Sequence, residues 1–241
     1  MMPDNSIYQN LEQSRGKTGP PGKAVASLQQ VYKRFDRVEA LKGLSLEFFA
    51  CDLLALLGPN GSGKTTAISL LLGLRKPNQG TARLFGKDPR LPQARQQVGA
   101  TPQETDFPGT LQVGEILALV QAHYPVPSPT KDLLERFGLT GLESRQVGGL
   151  SGGQKRRLSV ALAFAGNPRV VFLDEPTVGL DVEARRELWQ EIQAYRQHGG
   201  TVLLTTHYLE EAETLASRVV FFIRDRKSVR AVWRRLRRRS G

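Results

Sequence analysis

Two strings in this chain of 241 residues carry the residue types that handle phosphates. The first, Gly58-Pro59-Asn60-Gly61-Ser62-Gly63-Lys64-Thr65-Thr66, matches G-x-x-x-x-G-K-[ST]. Glycines at that spacing let successive backbone N–H groups curl around an anion, and a helix starting there adds its positive end. Lys64 then reaches the β and γ phosphates of a nucleotide, and the Thr65 hydroxyl ligates Mg²⁺. The second string, Val170-Val171-Phe172-Leu173-Asp174-Glu175, is an apolar run ending in two acids. Open α/β sheets place their chemistry at the carboxyl ends of strands. Asp174 is thereby assigned to the Mg²⁺ shell and Glu175 to polarising an attacking water as general base. Alone, each string also reads as an exposed glycine-rich turn or a pair of solvated acids. Together they specify a site for Mg-nucleotide.

Positioning such a site requires strands that alternate with helices. Leu53–Leu57 (LLALL) is apolar at every residue, the pattern of a strand buried on both faces, and it leads directly into Gly58. Further strands are expected at Val25 with Leu28–Val31, Leu44–Phe49, Val170–Leu173, Thr201–Leu204 and Val219–Ile223. Helical patterns such as Ile116–Ala122 and Ala184–Tyr195 separate the later ones. The alternation predicts an α/β protein with a mainly parallel sheet.

Composition sets the outer limits. With 39% apolar and 24% charged residues the chain is an ordinary globular sequence, long enough to bury a core without staples. Its single cysteine, Cys51, excludes an intramolecular disulfide and a four-cysteine zinc site. No run of roughly 18 apolar residues is present to span a bilayer, and the start lacks the apolar core of a secretory signal. The net charge of +11 suggests nucleic acid until it is mapped, because residues 224–241 hold +8 of it. Basicity therefore belongs to the tail. Residues 1–23 are polar, punctuated by Gly19-Pro20-Pro21-Gly22, and are expected to be a disordered lead-in.

A third string, Leu150-Ser151-Gly152-Gly153-Gln154, completes a pattern that resembles the ATP-binding cassette ATPases, the motor subunits of ABC transporters. On its own it is a capped helix start and a second backbone-amide anion site. In order along the chain, Gln103 sits like the family's Q-loop glutamine, Val178-Gly179-Leu180-Asp181 like its D-loop, and His207 like its switch histidine. The resemblance covers residues 24–223. It implies a P-loop NTPase fold, with a RecA-like, mainly parallel sheet flanked by helices and an N-terminal antiparallel β portion. A small helical subdomain is expected over about residues 104–165, with helices at Thr110–Ala122 and Lys131–Leu139 joined by the proline-rich Tyr124–Pro129.

The resemblance also implies roles. Two cassettes pair head to tail, and Ser151, Gly152, Gly153 and Gln154 of one close over ATP held by Gly58–Thr66 of the other. Gln103 touches Mg²⁺ and relays nucleotide state towards the membrane partner, Asp181 couples the two sites, and His207 contacts the γ-phosphate. Phe35 falls where the family stacks an aromatic on adenine, with Tyr32 as its rival and a core aromatic as the plain reading of both. The expected function is an ATP-hydrolysing subunit at the cytoplasmic face of the membrane, driving a separate permease, with no specific nucleic acid as partner.

The forms GATPQ, PTVGLD and HYLEEAE look most like the bacterial ABC-2 type export branch, and Val178 replaces the serine often seen before Gly-Leu-Asp. The end departs from the family. Arg-Asp-Gly and a further strand are replaced by Arg224-Asp225-Arg226-Lys227-Ser228 and an arginine-rich segment, through divergence or a changed reading frame. Val229, Val232, Trp233 and Leu236 fall at i, i+3, i+4 and i+7, the spacing of one face of a basic amphipathic helix suited to an anionic membrane surface, with an unfolded arginine-rich end as the plain reading. Two other readings go with this tail: a soluble cassette ATPase acting on nucleic acid or ribosomes, and a C-terminally defective cassette.

Overall fold

The computed structural model describes residues 24–101, 107–225 and 228–235, with side chains described as far as Phe222. The lead-in, Gln103 and Leu236 lie outside the described residues. From residue 24 to Gln96, and again from Thr201, the described chain belongs to one compact unit, and Gln97–Gly200 form a second.

The first unit contains two sheets. β1 (Ala26–Phe35), β2 (Val38–Phe48) and β4 (Gln79–Leu84) form an antiparallel sheet in the order β2-β1-β4. β3 (Leu53–Leu57) pairs in parallel with β7 (Thr201–Thr206) on one side and β8 (Arg218–Asp225) on the other. Every residue of β3 and β7 is buried, β3 as its unbroken apolar run requires and β7 with its threonines as well as Val202–Leu204. Helices α1 (Lys64–Leu71), α2 (Pro92–Arg95) and α7 (Leu209–Leu215) complete the unit.

The tail corrects a sequence expectation. Ser228–Arg235 is a strand, β9, paired antiparallel to β8 from Asp225↔Ser228 through to Arg218↔Arg235. The helical spacing is real, but Val229, Ala231 and Trp233 also alternate with Arg230, Val232 and Arg234. Eight residues are too few for a helix that stands alone in water, whereas the free edge of β8 supplies a ready ladder of backbone partners.

The second unit pairs β5 (Val98–Thr101) in parallel with β6 (Val170–Asp174) and carries α3 (Val113–Gln121), α4 (Thr130–Arg136), α5 (Gly152–Phe164) and α6 (Val182–Gln197). α3 starts in a capping box, with the Gln112 amide donating to Glu115 Oε2 at 2.8 Å. The proline-rich segment between α3 and α4 is fastened to the end of α5: Ser128 N–H donates to the Ala165 carbonyl at 2.8 Å, and Ser128 Oγ to that of Phe164 at 3.0 Å. β5 packs so closely on α5 that a Cβ at Gly99 would lie 1.7 Å from the Ala163 carbonyl oxygen.

A buried ion pair ties α4 to α6 in this unit. Arg136 Nη2 and Glu191 Oε1 are 2.5 Å apart with side chains 6% and 8% exposed. The guanidinium lies 5.6 Å from the Phe137 ring centre and 5.5 Å from that of Phe164, which in turn meets Tyr195 edge-on. Removing one member strands a buried charge, so Glu191→Ala is expected to cost about 3–5 kcal/mol of stability. Urea unfolding measures this directly. A loss below about 1 kcal/mol would show the pair to be solvated.

Candidate active site

In the first unit the phosphate loop is built by close approach. A Cβ on Gly58 would lie 2.5 Å from the Phe222 carbonyl oxygen and 2.9 Å from Ser62 Oγ. Gly63 has φ of +93° and passes within 2.7 Å, measured from an added Cβ, of the Ala40 carbonyl oxygen on β2. Neither position accepts a side chain. The loop enters α1 through Gly63, with no side-chain cap and no acid in the first turn, so the positive helix end faces the loop uncompensated.

Lys64 is buried at 4% exposure, and its ammonium donates to the carbonyls of Gly58 at 2.6 Å and Pro59 at 3.1 Å. Its cation is thereby held at the mouth of the loop. Ser62 Oγ is buried with no hydrogen-bond partner among the described residues. An unpaired buried hydroxyl costs about 1–3 kcal/mol, which a phosphate oxygen accepting from it would offset. These features together fit a polyphosphate. Thr65 is exposed at the start of α1.

β3 and β7 bring His207 to the same place. Leu57 and Thr206 are register partners, and the Gly58 amide donates to the Thr206 carbonyl at 3.2 Å. The next residue, His207, is exposed at that carboxyl edge, its ring 4.0 Å from that of Tyr208. Phe35 closes β1 and is half-buried, which removes the core reading. The Lys33 ammonium and the Arg75 guanidinium lie 5.1 Å and 4.9 Å from its ring centre. Tyr32 is also half-buried, and its hydroxyl would stand 3.1 Å from a Cβ at Gly43.

In the second unit, Asp174 ends β6 and Glu175 follows, with exposures of 2% and 6%. Glu175 adopts φ of +50° directly before Pro176, where sterics favour an extended backbone. The turn is gripped by Arg156 on α5. Its Nη2 donates to the Asp174 carbonyl at 2.5 Å and that of Glu175 at 2.7 Å, and its Nε to that of Pro176 at 3.1 Å. Motif reading passes over Arg156 because its partners are carbonyls, which leave no mark in sequence.

Ser151 is the N-cap of α5 in a full capping box: the Gln154 amide donates to Ser151 Oγ at 3.2 Å, and the Ser151 amide to Gln154 Oε1 at 2.9 Å. A Cβ on Gly152 would meet nothing within 4 Å, so the described chain itself does not demand a glycine there. Asp181 caps α6, accepting from the Ala184 amide at 2.8 Å. β5, which leads towards Gln103, is in register with β6, Thr101 opposite Leu173.

For a metal, the chain offers the Thr65 hydroxyl and the Asp174 carboxylate, hard oxygen donors of the kind Mg²⁺ prefers. Among the described residues no cluster of three or more His, Cys, Asp or Glu side chains forms a protein cage. Thr65 and Asp174 each offer a donor of the kind that suits an ion whose shell is largely completed by phosphate and water.

A glycine-rich loop between a buried parallel strand and an uncapped helix, with a buried lysine at its mouth, defines a P-loop nucleotide-binding protein. A family model described as ABC transporter matches residues 41–178. The Nod factor export ATP-binding protein I of Burkholderia thailandensis is 39% identical over 211 residues, which cover 85% of this chain and 69% of that one. The human phospholipid-transporting ATPase ABCA7 is 43% identical over 208 residues, 83% of this chain and 10% of that protein. Among solved structures, the ATP-binding subunit of an ABC transporter matches with a TM-score of 0.79 at 24% identity, over 88% of this chain and 90% of that one. A dimeric cassette in a post-hydrolysis state with ADP and phosphate matches at 0.77 and 23%, over 88% and 99%. The chain belongs to the ABC transporter family. It is an ATP-hydrolysing cassette with the P-loop NTPase fold.

Proposed function

We propose that this cassette hydrolyses Mg-ATP at composite sites between two paired copies, or between it and a related cassette, and drives a separate export permease at the cytoplasmic face of a membrane. Gly58–Thr66 cradle the phosphates, Lys64 neutralises the β and γ oxygens, and Phe35 stacks on the base. Thr65, Asp174 and Gln103 hold Mg²⁺, which when bound offsets phosphate charge and fixes the oxygens for in-line attack. Glu175 accepts the proton of the attacking water as its oxygen bonds to the γ-phosphorus. The bond to the β–γ bridging oxygen breaks, and ADP leaves with the electron pair. His207 orients the γ-phosphate.

The observation that carries the paired arrangement is the signature turn. Ser151 and Gly152 are exposed at a helix start, and Gly152 has open space where its side chain would be. A second anion-binding helix start is surplus to a chain that already has a P-loop, unless it serves another chain's nucleotide. Export is supported by the three motif forms of the ABC-2 branch and by the Nod factor export relative. Among the described residues no helix is long and apolar enough to cross a membrane, which suits a subunit held there by a permease.

Ser151→Arg tests the pairing. A bulky cation at the signature leaves ATP binding by the monomer within about twofold, since the P-loop is untouched, but abolishes ATP-dependent dimers in light scattering and reduces turnover about 100-fold. Loss of ATP binding by the single variant would contradict the assignment of the signature to a partner's nucleotide.

A further inference from the structure

We infer that Arg156 is a positioning residue for Glu175, fixing the turn that aims the carboxylate and fastening it to the signature helix of the same chain. The inference rests on the proposed role of Glu175 as general base.

Three consecutive carbonyls, those of Asp174, Glu175 and Pro176, accept from the one Arg156 guanidinium. A planar guanidinium offers five donors in a fixed fork, which an ammonium cannot reproduce. The turn needs such support. Glu175 stands at φ +50°, a conformation that costs a non-glycine residue free energy, and Pro176 both disfavours it and supplies no N–H. Within the turn itself, the Val178 amide donates to the Glu175 carbonyl at 3.2 Å. The Arg156 contacts are shorter and charge-assisted at the two carbonyls flanking the Glu175 backbone.

Arg156 lies five residues after Ser151 on α5, whose first turn is locked by the capping box. The signature and the acid turn of one chain are thus joined by a rigid helix and a three-point clamp. Docking of the signature on a partner's ATP is carried to the Glu175 that serves the chain's own ATP.

The test is a double-mutant cycle on the full chain, measuring ATP affinity, kcat, KM and melting temperature. Arg156→Lys keeps charge and stem but not the fork, and Arg156→Met keeps the stem alone. A misplacement of about 1 Å at the reacting group costs on the order of 100-fold. Arg156→Met is therefore expected to lose about 100-fold in kcat and Arg156→Lys about tenfold, with ATP affinity and KM within about twofold. Because Arg156 acts through Glu175, adding Arg156→Met to Glu175→Gln should lower the residual rate by no more than about twofold. A merely structural loss would move KM, affinity and melting together and would multiply with Glu175→Gln. That result would overturn the inference, as would Arg156→Met turning over at the parent rate while Glu175→Gln is inactive. Should Arg156→Met fail to fold, the Lys variant is read in the same cycle. An active Glu175→Gln would instead remove the base role itself.

Discussion

Glu175→Gln is expected to bind ATP as the parent does and to hydrolyse it about 10²–10⁴-fold more slowly, the usual worth of a positioned general base. The amide keeps the volume of the side chain and leaves the Arg156 contacts in place, because those are made to backbone carbonyls. It cannot accept the proton that the attacking water must lose. ATP is then trapped between paired cassettes, and the variant should run as an ATP-dependent dimer in light scattering, reverting to monomer when nucleotide is removed. Turnover within a few-fold of the parent would move the base elsewhere, and His207, at the same carboxyl edge as the P-loop, is the next residue to test.

Lys64→Ala should fail one step earlier. The ammonium is buried at the mouth of the loop on the carbonyls of Gly58 and Pro59, and in the proposed site it is the charge that turns to the β and γ phosphates. Charge-assisted hydrogen bonds contribute about 1.5–3 kcal/mol each. Losing two of them lowers ATP affinity by about 10²–10⁴-fold, and turnover at cellular ATP disappears with it. Equilibrium binding of a fluorescent ATP analogue, with melting temperature as control, measures the effect. Unchanged affinity and turnover would remove the whole phosphate-site assignment.

Most of this machinery is legible in sequence because it is local. A P-loop is nine consecutive residues whose backbone does the binding, and strands buried on both faces announce themselves by unbroken apolar runs, as in Leu53–Leu57 and in β6 up to Leu173. What the residues hide is whatever depends on a partner. β4 has Ala82 and Leu84 as its apolar members and is held by its ladder to β1, and β5 is four residues long with a glycine chosen for contact with α5. Ser228–Arg235 satisfies both a helical and a strand period, and the edge of β8 decides between them. Arg156 is invisible for a similar reason. Its partners are carbonyls 18, 19 and 20 residues away in the chain, and any sequence would offer them.

The central claim, that ATP is hydrolysed between two cassettes with the signature of one acting on the nucleotide of the other, is tested most directly by mixing two inactive variants. Ser151→Arg spoils the signature and keeps the P-loop, whereas Lys64→Ala does the reverse. Each forms only defective sites with itself. In a mixed pair, one composite site has an intact Lys64 and an intact Ser151, and the other has neither. Random pairing of an equal mixture makes half of the dimers mixed, each with one good site of two, so turnover should recover to about one quarter of the parent rate if the two sites act independently. Recovery of that order on mixing is the predicted result. A mixture no more active than its components would contradict the head-to-tail site.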